Sequence, residues 1–335
     1  MEIKPVTDEK SWEKFVLGFY PNNFLASWYW GDFHEFLGDK IFRLGLWEEK
    51  RLVGAAIAIK IKAKRGSFLL CPSGPLVEDF DKKKFEFLTK NLKELARSER
   101  VSFLRVRPVV ESGKFGEVLR RLGFRPSPTH VHAQVSWLLD ISKSEEDLLG
   151  RMRKSTRYLI KDAIRKDVRV VEKNNKYGLN ILEDLQRTTV ERHRFVPFPD
   201  NYLEKEFLAF DKEDRVKILV AEHKRKPLAA AIVVYYGDSG FYHHGASIKT
   251  KIPASYLLQW EAIKIAKNLG KKYYNFWGIA PSDSPNHPWR GLTYFKQGFG
   301  GFRLEYEQPQ DLPLSVFYPV TYWGEKLRAL YRGLN

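Results

Sequence analysis

The chain has 335 residues, 43% of them apolar and 14% aromatic, so it can bury a core and is not a disordered protein. Its formal net charge of +16, from 57 Lys and Arg against 41 Asp and Glu, favours a polyanionic partner: RNA, nucleotide phosphates or an anionic membrane face. The lone cysteine, Cys71, excludes an internal disulfide, and no apolar run approaches the about 20 residues that span a bilayer. The N-terminal MEIKPVTDEKSWEKF lacks a signal-peptide core, so a cytoplasmic protein is expected.

At roughly 100–200 residues per domain, the length suggests two. Trp12, Phe15 and Val16 mark a first helix over residues 11–19, and a second amphipathic segment ends at Gly38. Alternating runs at 42–47 and 52–60 predict a hairpin, followed by a strand at 67–71 and a turn, Pro72-Ser73-Gly74-Pro75. Phe85, Leu88, Leu92, Leu95 and Ala96 share one face of a helix over 81–99. A strand at 101–106 and a helix at about 112–122, ending in Leu122-Gly123-Phe124, complete the first half.

Ser142 and Glu145 form a capping-box pattern, predicting one helix that runs on to about Arg165. Along it, Arg153, Arg157, Lys161 and Arg165 make a cationic stripe opposite Leu149, Met152, Ile160 and Ala163. Such a stripe is either a solvated face or a contact for a polyanion; the mutual repulsion of like charges favours the contact. A helix over 179–192 leads into a Pro- and Phe-rich turn at 196–200.

The second half repeats the order of the first. Residues 216–222 and 228–236 predict a hairpin, 239–244 a third strand, 253–269 a helix opened by Pro253 and closed by Gly270, and 273–277 a strand. The spacings agree, with 47 residues from Gly54 to Val101 and 43 from Leu228 to Lys271. Two α/β domains of one type follow, at 1–140 and 141–310, with an aromatic and basic tail at 311–335. The tail, Trp323 and Tyr331 included, either docks on the core or meets an anionic membrane surface. A loop rich in proline then leads to a compact Gly- and aromatic-rich run around one cation, Lys296, held between Phe295 and Phe299.

Candidate chemistry is otherwise sparse. His130 and His132 share a strand face without a carboxylate or thiolate to join them, so no metal is expected. Cys71 lies in an apolar strand, and His243-His244 close a strand where packing is the commoner role. Neither a P-loop nor an acyl-CoA pyrophosphate loop is present, so no cofactor is expected.

In this order the residues resemble the FemABX family, peptidoglycan-bridge ligases that use aminoacyl-tRNA and contain two acetyltransferase-like (GNAT) domains. The resemblance rests on Ser27-Trp28-Tyr29-Trp30-Gly31, Ser73-Gly74-Pro75-Leu76, Lys154-Ser155-Thr156-Arg157, Glu191-Arg192-His193 with Tyr202, Tyr242 to Ser247, Phe276-Trp277-Gly278-Ile279, and Phe295-Lys296 with Phe299. It implies an α/β (α+β) fold of two mixed sheets flanked by helices. It implies an aminoacyltransferase acting on a UDP-linked or lipid-linked muropeptide; a cytoplasmic monomer is expected, with peripheral contact at the inner membrane face where the tail meets lipid.

Lys296, with Phe295, is then the catalytic element, steadying the oxyanion formed when an amine attacks the aminoacyl ester. Arg192, Tyr202, Tyr242, His244, Trp277, Gly278, His34 and Ser73 become substrate-binding positions, and the 153–165 stripe an RNA or phosphate contact. Three positions depart from the family. His34 and Phe198 stand where relatives that use a nucleotide-linked acceptor carry phosphate-binding Lys and Arg, and Ser73 replaces the basic residue of the Gly-Pro turn; Arg192, Arg194 or Arg157 are the available substitutes. No coiled-coil insertion interrupts the second half, as in the short form of the family. The alternatives are an acyl-CoA-dependent N-acyltransferase of polysaccharide or envelope synthesis on the same fold, and a non-catalytic binder.

Overall fold

The alternating runs of each half pair as hairpins, and the apolar faces they present decide where the helices pack. The structure, a computed structural model, describes residues 1–19, 22–63, 66–108, 115–193, 199, 201–282 and 287–333, without the side chains of 189–193. It divides into two compact units. The first takes Met1–Val135, Ala280–Pro288 and Glu305–Asn335, and the second takes Ser136–Ile279 and Trp289–Leu304.

In the first unit, β1 (Glu2–Pro5), helices α1 (Glu9–Val16) and α2 (Trp28–Phe36), and the hairpin β2 (Lys40–Glu48) and β3 (Arg51–Ala63) come first. After β4 (Gly66–Cys71) and the short β5 (Leu76–Val77), α3 (Lys82–Ser98) leads to β6 (Phe103–Val106), then α4 (Gly116–Arg121) and β7 (Arg125–Pro126). Asp81 caps α3 by accepting from the backbone N–H of Lys83 and Lys84. Phe85, Leu88, Leu92 and Ala96 bury its apolar face against Val53, Ala56, Leu69 and Leu104 of the sheet.

The second unit comprises β8 (Val135–Asp140), α5 (Glu145–Arg151), α6 (Lys154–Arg165), β9 (Val168–Glu172), α7 (Lys176–His193) and α8 (Tyr202–Phe210). There follow β10 (Val216–His223), β11 (Lys226–Tyr236), β12 (Ser239–Ser247), α9 (Ala254–Asn268), β13 (Tyr273–Gly278), α10 (Arg290–Gln297) and β14 (Phe302–Glu305). Its sheet runs β14-β8-β13-β12-β11-β10-β9. Leu257, Leu258, Trp260, Ile263 and Ala266 of α9 pack on it. Each unit carries the repeated hairpin, strand, helix and strand, and in each the two strands flanking the helix pair in parallel, β4 with β6 and β12 with β13.

Several elements differ from the sequence reading. The run around Lys296 is a helix, α10, because residues 290–297 contain no breaker apart from Gly291 and their side chains find a packed face. The single helix expected from Ser142 to Arg165 is two. Ser144, not Ser142, caps α5, accepting from Asp147 N–H. The chain then opens at Met152 (ψ 152°), where Arg153 N–H turns to the Gly298 carbonyl. Strands β8 and β14 and helix α8 carried no periodic signal that marked them. At the edge between β8 and β14, Gly301 (φ +101°) sits where a Cβ would collide with the Leu138 carbonyl.

The expected tail is built into the first unit. Gln310–Pro313 forms β15, antiparallel between β6 and β7, and α11 (Tyr318–Tyr331) follows. Register places Arg105 of β6 opposite Asp311. The pair is fully buried and bidentate, at 2.7 and 2.8 Å. Asp311 also accepts from the Tyr318 hydroxyl (2.9 Å), and Arg105 reaches Glu325 of α11 (2.8 Å). Because removing one partner strands a buried charge, Asp311→Asn is expected to lower the unfolding free energy by about 3–5 kcal/mol. Urea denaturation checks this; a loss below about 1 kcal/mol would show that the pair holds nothing together.

Candidate active site

Two backbone irregularities shape one end of the second unit's sheet. In β12 a bulge shifts the register so that Tyr242 opposes Val233 and His244 opposes Ile232, leaving His243 as the extra residue. The strict alternation of a strand is broken there, so consecutive histidines face the same way. In β13 the register against β8 shifts between Asn275 and Gly278. Trp277 adopts φ +64°, an uncommon conformation for a large side chain, with its N–H held by the Asn275 side chain at 2.8 Å.

Lys296 enters from α10 and is 4% exposed. Its Nζ donates to the Gly278 carbonyl at 2.6 Å, and the Tyr242 ring centroid lies 5.9 Å away. No carboxylate is paired with it among the described residues. Burial therefore pulls the amine down to about 7, which leaves it divided between cation and free base at neutral pH. Burial also pushes the Tyr242 phenol up to about 12. Phe295 turns to the core, edge-on to Tyr256 (4.9 Å) and Phe299 (5.5 Å), and so anchors the helix that carries the lysine.

On the other histidine-bearing face stands Glu206 of α8, fully buried. Its two carboxylate oxygens meet His243 Nδ1 at 2.7 Å and His244 Nε2 at 2.8 Å. Burial alone would raise this carboxyl; the two imidazoles outweigh it and hold the group well below the ordinary carboxylate range. An ionised carboxylate only accepts, so the ring nitrogen that faces it on each imidazole is a donor. Burial pulls His243 down, towards the neutral ring. Tyr202 lies edge-on to His244 (6.1 Å), and His243 edge-on to Trp277 (5.2 Å). The carboxylate and imidazole atoms also lie within 4.8 Å of one another, close enough to share a cation, although here they satisfy each other by hydrogen bonds.

The second unit thus brings together Lys296, Gly278, Tyr242, Trp277, His244 and Tyr202. Sequence reasoning missed Glu206, because no periodic signal set α8 apart and nothing marked one glutamate among 41 acidic residues. Of the expected cationic stripe, Arg153 stacks on Tyr294 of α10 (3.8 Å), and Arg157 donates to the carbonyls of Leu149, Gly150 and Met152, closing the end of α5. Arg165 pairs with Asp162, and Lys161 is exposed. The Arg192 side chain, Arg194 and Phe198 lie outside the described residues.

In the first unit His34 is buried on α2, with Nδ1 at 2.8 Å from Asp39 and its ring edge-on to Trp30. Ser73 is buried and its Oγ has no hydrogen-bond partner among the described residues. Beside it, Arg107 Nε donates to the Pro72 carbonyl (3.0 Å) and Nη1 to the Ala133 carbonyl (2.7 Å), while Nη2 has no hydrogen-bond partner among the described residues. No carboxylate among the described residues faces this guanidinium, and burial pulls it down to about 10. A guanidinium thus stands beside the turn where a basic residue was expected and Ser73 is found. Cys71 is buried, and burial pushes its thiol well above the usual range, so it offers no thiolate.

Two mixed sheets with flanking helices, repeated in order along one chain, define a tandem acetyltransferase-like protein. A model of the FemAB family matches residues 7–118, 123–226 and 217–307. The chain belongs to the FemAB family, and it is a transferase. It is 21% identical to the lipid II:glycine glycyltransferase of Staphylococcus epidermidis, over 98% of this chain and 96% of that one. That alignment runs over 404 positions against 335 residues here, so the relative carries segments with no counterpart in this chain. The crystal structure of FemX superposes with a TM-score of 0.83 at 17% identity, covering 97% of this chain and 100% of the other. A tandem GNAT protein from the clavulanic acid biosynthesis pathway superposes with a TM-score of 0.57 at 12% identity, covering 93% and 98%.

Glu206→Gln removes the charge that both imidazoles serve, and the variant is expected to lose about 3 kcal/mol at pH 7. The sign follows from the lowered carboxyl. Its contribution is complete above the ordinary value, 4.5, and is lost progressively as pH falls from there toward the lowered folded value, so the gap between wild type and variant should narrow steadily below about pH 4.5. Thermal melts across pH check this; a constant difference down to pH 3 would contradict it.

Proposed function

We propose that the chain joins an amino acid, delivered as an aminoacyl-tRNA ester, to an amine of a peptidoglycan precursor, and that Lys296 is the catalytic residue. The observation that carries the proposal is the buried amine of Lys296 at the strand end, hydrogen-bonded to the Gly278 carbonyl and unmatched by any described carboxylate. The names of the relatives, glycyltransferases acting on lipid II, support the class of acceptor.

The chemistry follows from ester aminolysis. The acceptor nitrogen attacks the ester carbonyl carbon, and the carbonyl electron pair moves to oxygen, giving a tetrahedral anion. A fixed cation aimed at that oxygen is worth roughly 3–4 kcal/mol in a dry site. The anion itself draws the proton onto Lys296, so an amine poised near 7 becomes fully charged when charge develops beside it. Collapse breaks the carbon–oxygen bond, the ribose hydroxyl leaves with the proton given up by the acceptor nitrogen, and an amide remains. Trp277, Tyr202 and the histidine pair on Glu206 line the same strand ends as substrate contacts. The tRNA is met by α6, whose first turn lies against α10 through Arg153 and which presents Lys161 to solvent. Arg107 and Ser73 of the first unit offer a contact for an anionic substrate group.

Lys296→Met, which keeps length and removes charge, is expected to lower kcat about 100- to 1,000-fold in an aminoacyl-transfer assay. The same variant should be more stable. The buried amine resists protonation, so its penalty is complete below about 7 and relieved as pH rises toward 10.5; the gain from Met should be largest at and below neutral pH. Unchanged turnover would remove Lys296 from the mechanism, and turnover with acyl-CoA instead of charged tRNA would reassign the donor. Arg107→Met should raise the acceptor KM at least about tenfold, the weight of one charge-assisted hydrogen bond, while leaving kcat near wild type. A merely structural arginine would leave KM unchanged.

A further inference from the structure

A surface helix normally turns its apolar stripe to the core and its charges to water. In α11 these are exchanged. Buried Tyr318 and Ala329 face the first unit together with Glu325, which takes hydrogen bonds from Arg105 and Thr129 (both 2.8 Å). At about 100° per residue, the opposite face carries Val320, Trp323, Leu327, Leu330 and Tyr331. Those five side chains are between 53% and 90% exposed. Val316 and Phe317 extend the stripe ahead of the first turn and are also exposed.

We propose that this stripe seats the protein on an anionic phospholipid surface. A continuous apolar face of this kind on the outside of a chain marks an interaction site. Its flanks identify the partner. Lys326 and Arg328 stand about 90° and 110° from the centre of the stripe, one on each side, where long side chains reach lipid phosphates while their stems lie along the apolar face. Arg332 follows one turn on. Glu325, the helix's only acidic residue, is paired with Arg105, so the charges that the helix itself sets beside the stripe are cationic. Trp323 and Tyr331 are the residue types that settle at the headgroup level. A second copy of the chain would bring these same cations against one another, whereas a bilayer of anionic lipid meets both the apolar stripe and its charges. No described helix is long and apolar enough to cross a membrane, so the contact is peripheral. The inference stands on the helix alone and does not depend on the reaction proposed above.

The test is co-sedimentation of the full chain with phosphatidylcholine vesicles, with and without phosphatidylglycerol, in the absence of any acceptor or tRNA. Binding to the anionic vesicles is expected, weakening as salt rises. The double variant Val320→Glu, Leu327→Glu changes only exposed positions, so it should melt like wild type and bind at least about tenfold more weakly. Lys326→Gln and Arg328→Gln should each cost about fivefold on anionic vesicles alone. The proposal is overturned if wild type ignores anionic vesicles, or if the glutamate variant binds them equally well. It is also overturned if sedimentation equilibrium shows a dimer that those glutamates dissolve.

Discussion

The hydrogen bond from Lys296 to the Gly278 carbonyl joins two elements that each depend on a local irregularity. The carbonyl belongs to a strand end bent by the left-handed Trp277 and steadied by Asn275. The amine belongs to a short helix whose end is fixed elsewhere, by Arg153 N–H on the Gly298 carbonyl and by Phe295 wedged against Tyr256 and Phe299. Burying an amine without a carboxylate costs free energy, and packing from three directions supplies it. The same burial divides the group between its two protonation states near neutral pH, the state a group needs to answer a charge that appears and disappears.

Four buried ionisable groups show how differently the fold treats charge. Arg105 has two carboxylates and a tyrosine around its partner, and its work is to hold β15 and α11 in place. Glu206 has two imidazole donors and fixes the ring orientation of both. Among the described residues, Lys296 and Arg107 have only backbone carbonyls as hydrogen-bond acceptors, with aromatic rings nearby. A charge satisfied in place stabilises structure, whereas one held in reserve stabilises something that arrives. That contrast separates the two structural charges from the two proposed to serve chemistry and binding.

Much of the architecture was legible in the residues. The two hairpins, the helices carrying Phe85 to Ala96 and Leu257 to Ala266, and the repetition of one unit all follow from period and from Pro and Gly punctuation. Lys296 stood out because a lone cation among Phe295, Phe299 and three glycines is an uncommon neighbourhood. Illegible were the elements that borrow stability from afar: β15, which needs Arg105, and α8, whose Glu206 needs two histidines about 40 residues on. The bulge that turns His243 and His244 the same way left no mark, because it is a property of pairing between strands.

By itself the sequence determined the elements and their order, since these rest on local propensity, on the spacing of apolar residues and on turn chemistry, all contained within a few residues of chain. It also determined that Lys296 is set in an apolar neighbourhood. Tertiary structure alone decided that this amine is sealed from water and tuned by burial, that Glu206 joins the histidines, and that Arg107 stands beside Ser73. It decided too that α11 is tied down through Glu325 and so shows its apolar side outward. The reason is common to all four. Solvation and charge compensation are summed over every group within a few ångströms, and those groups come from parts of the chain that no local pattern connects.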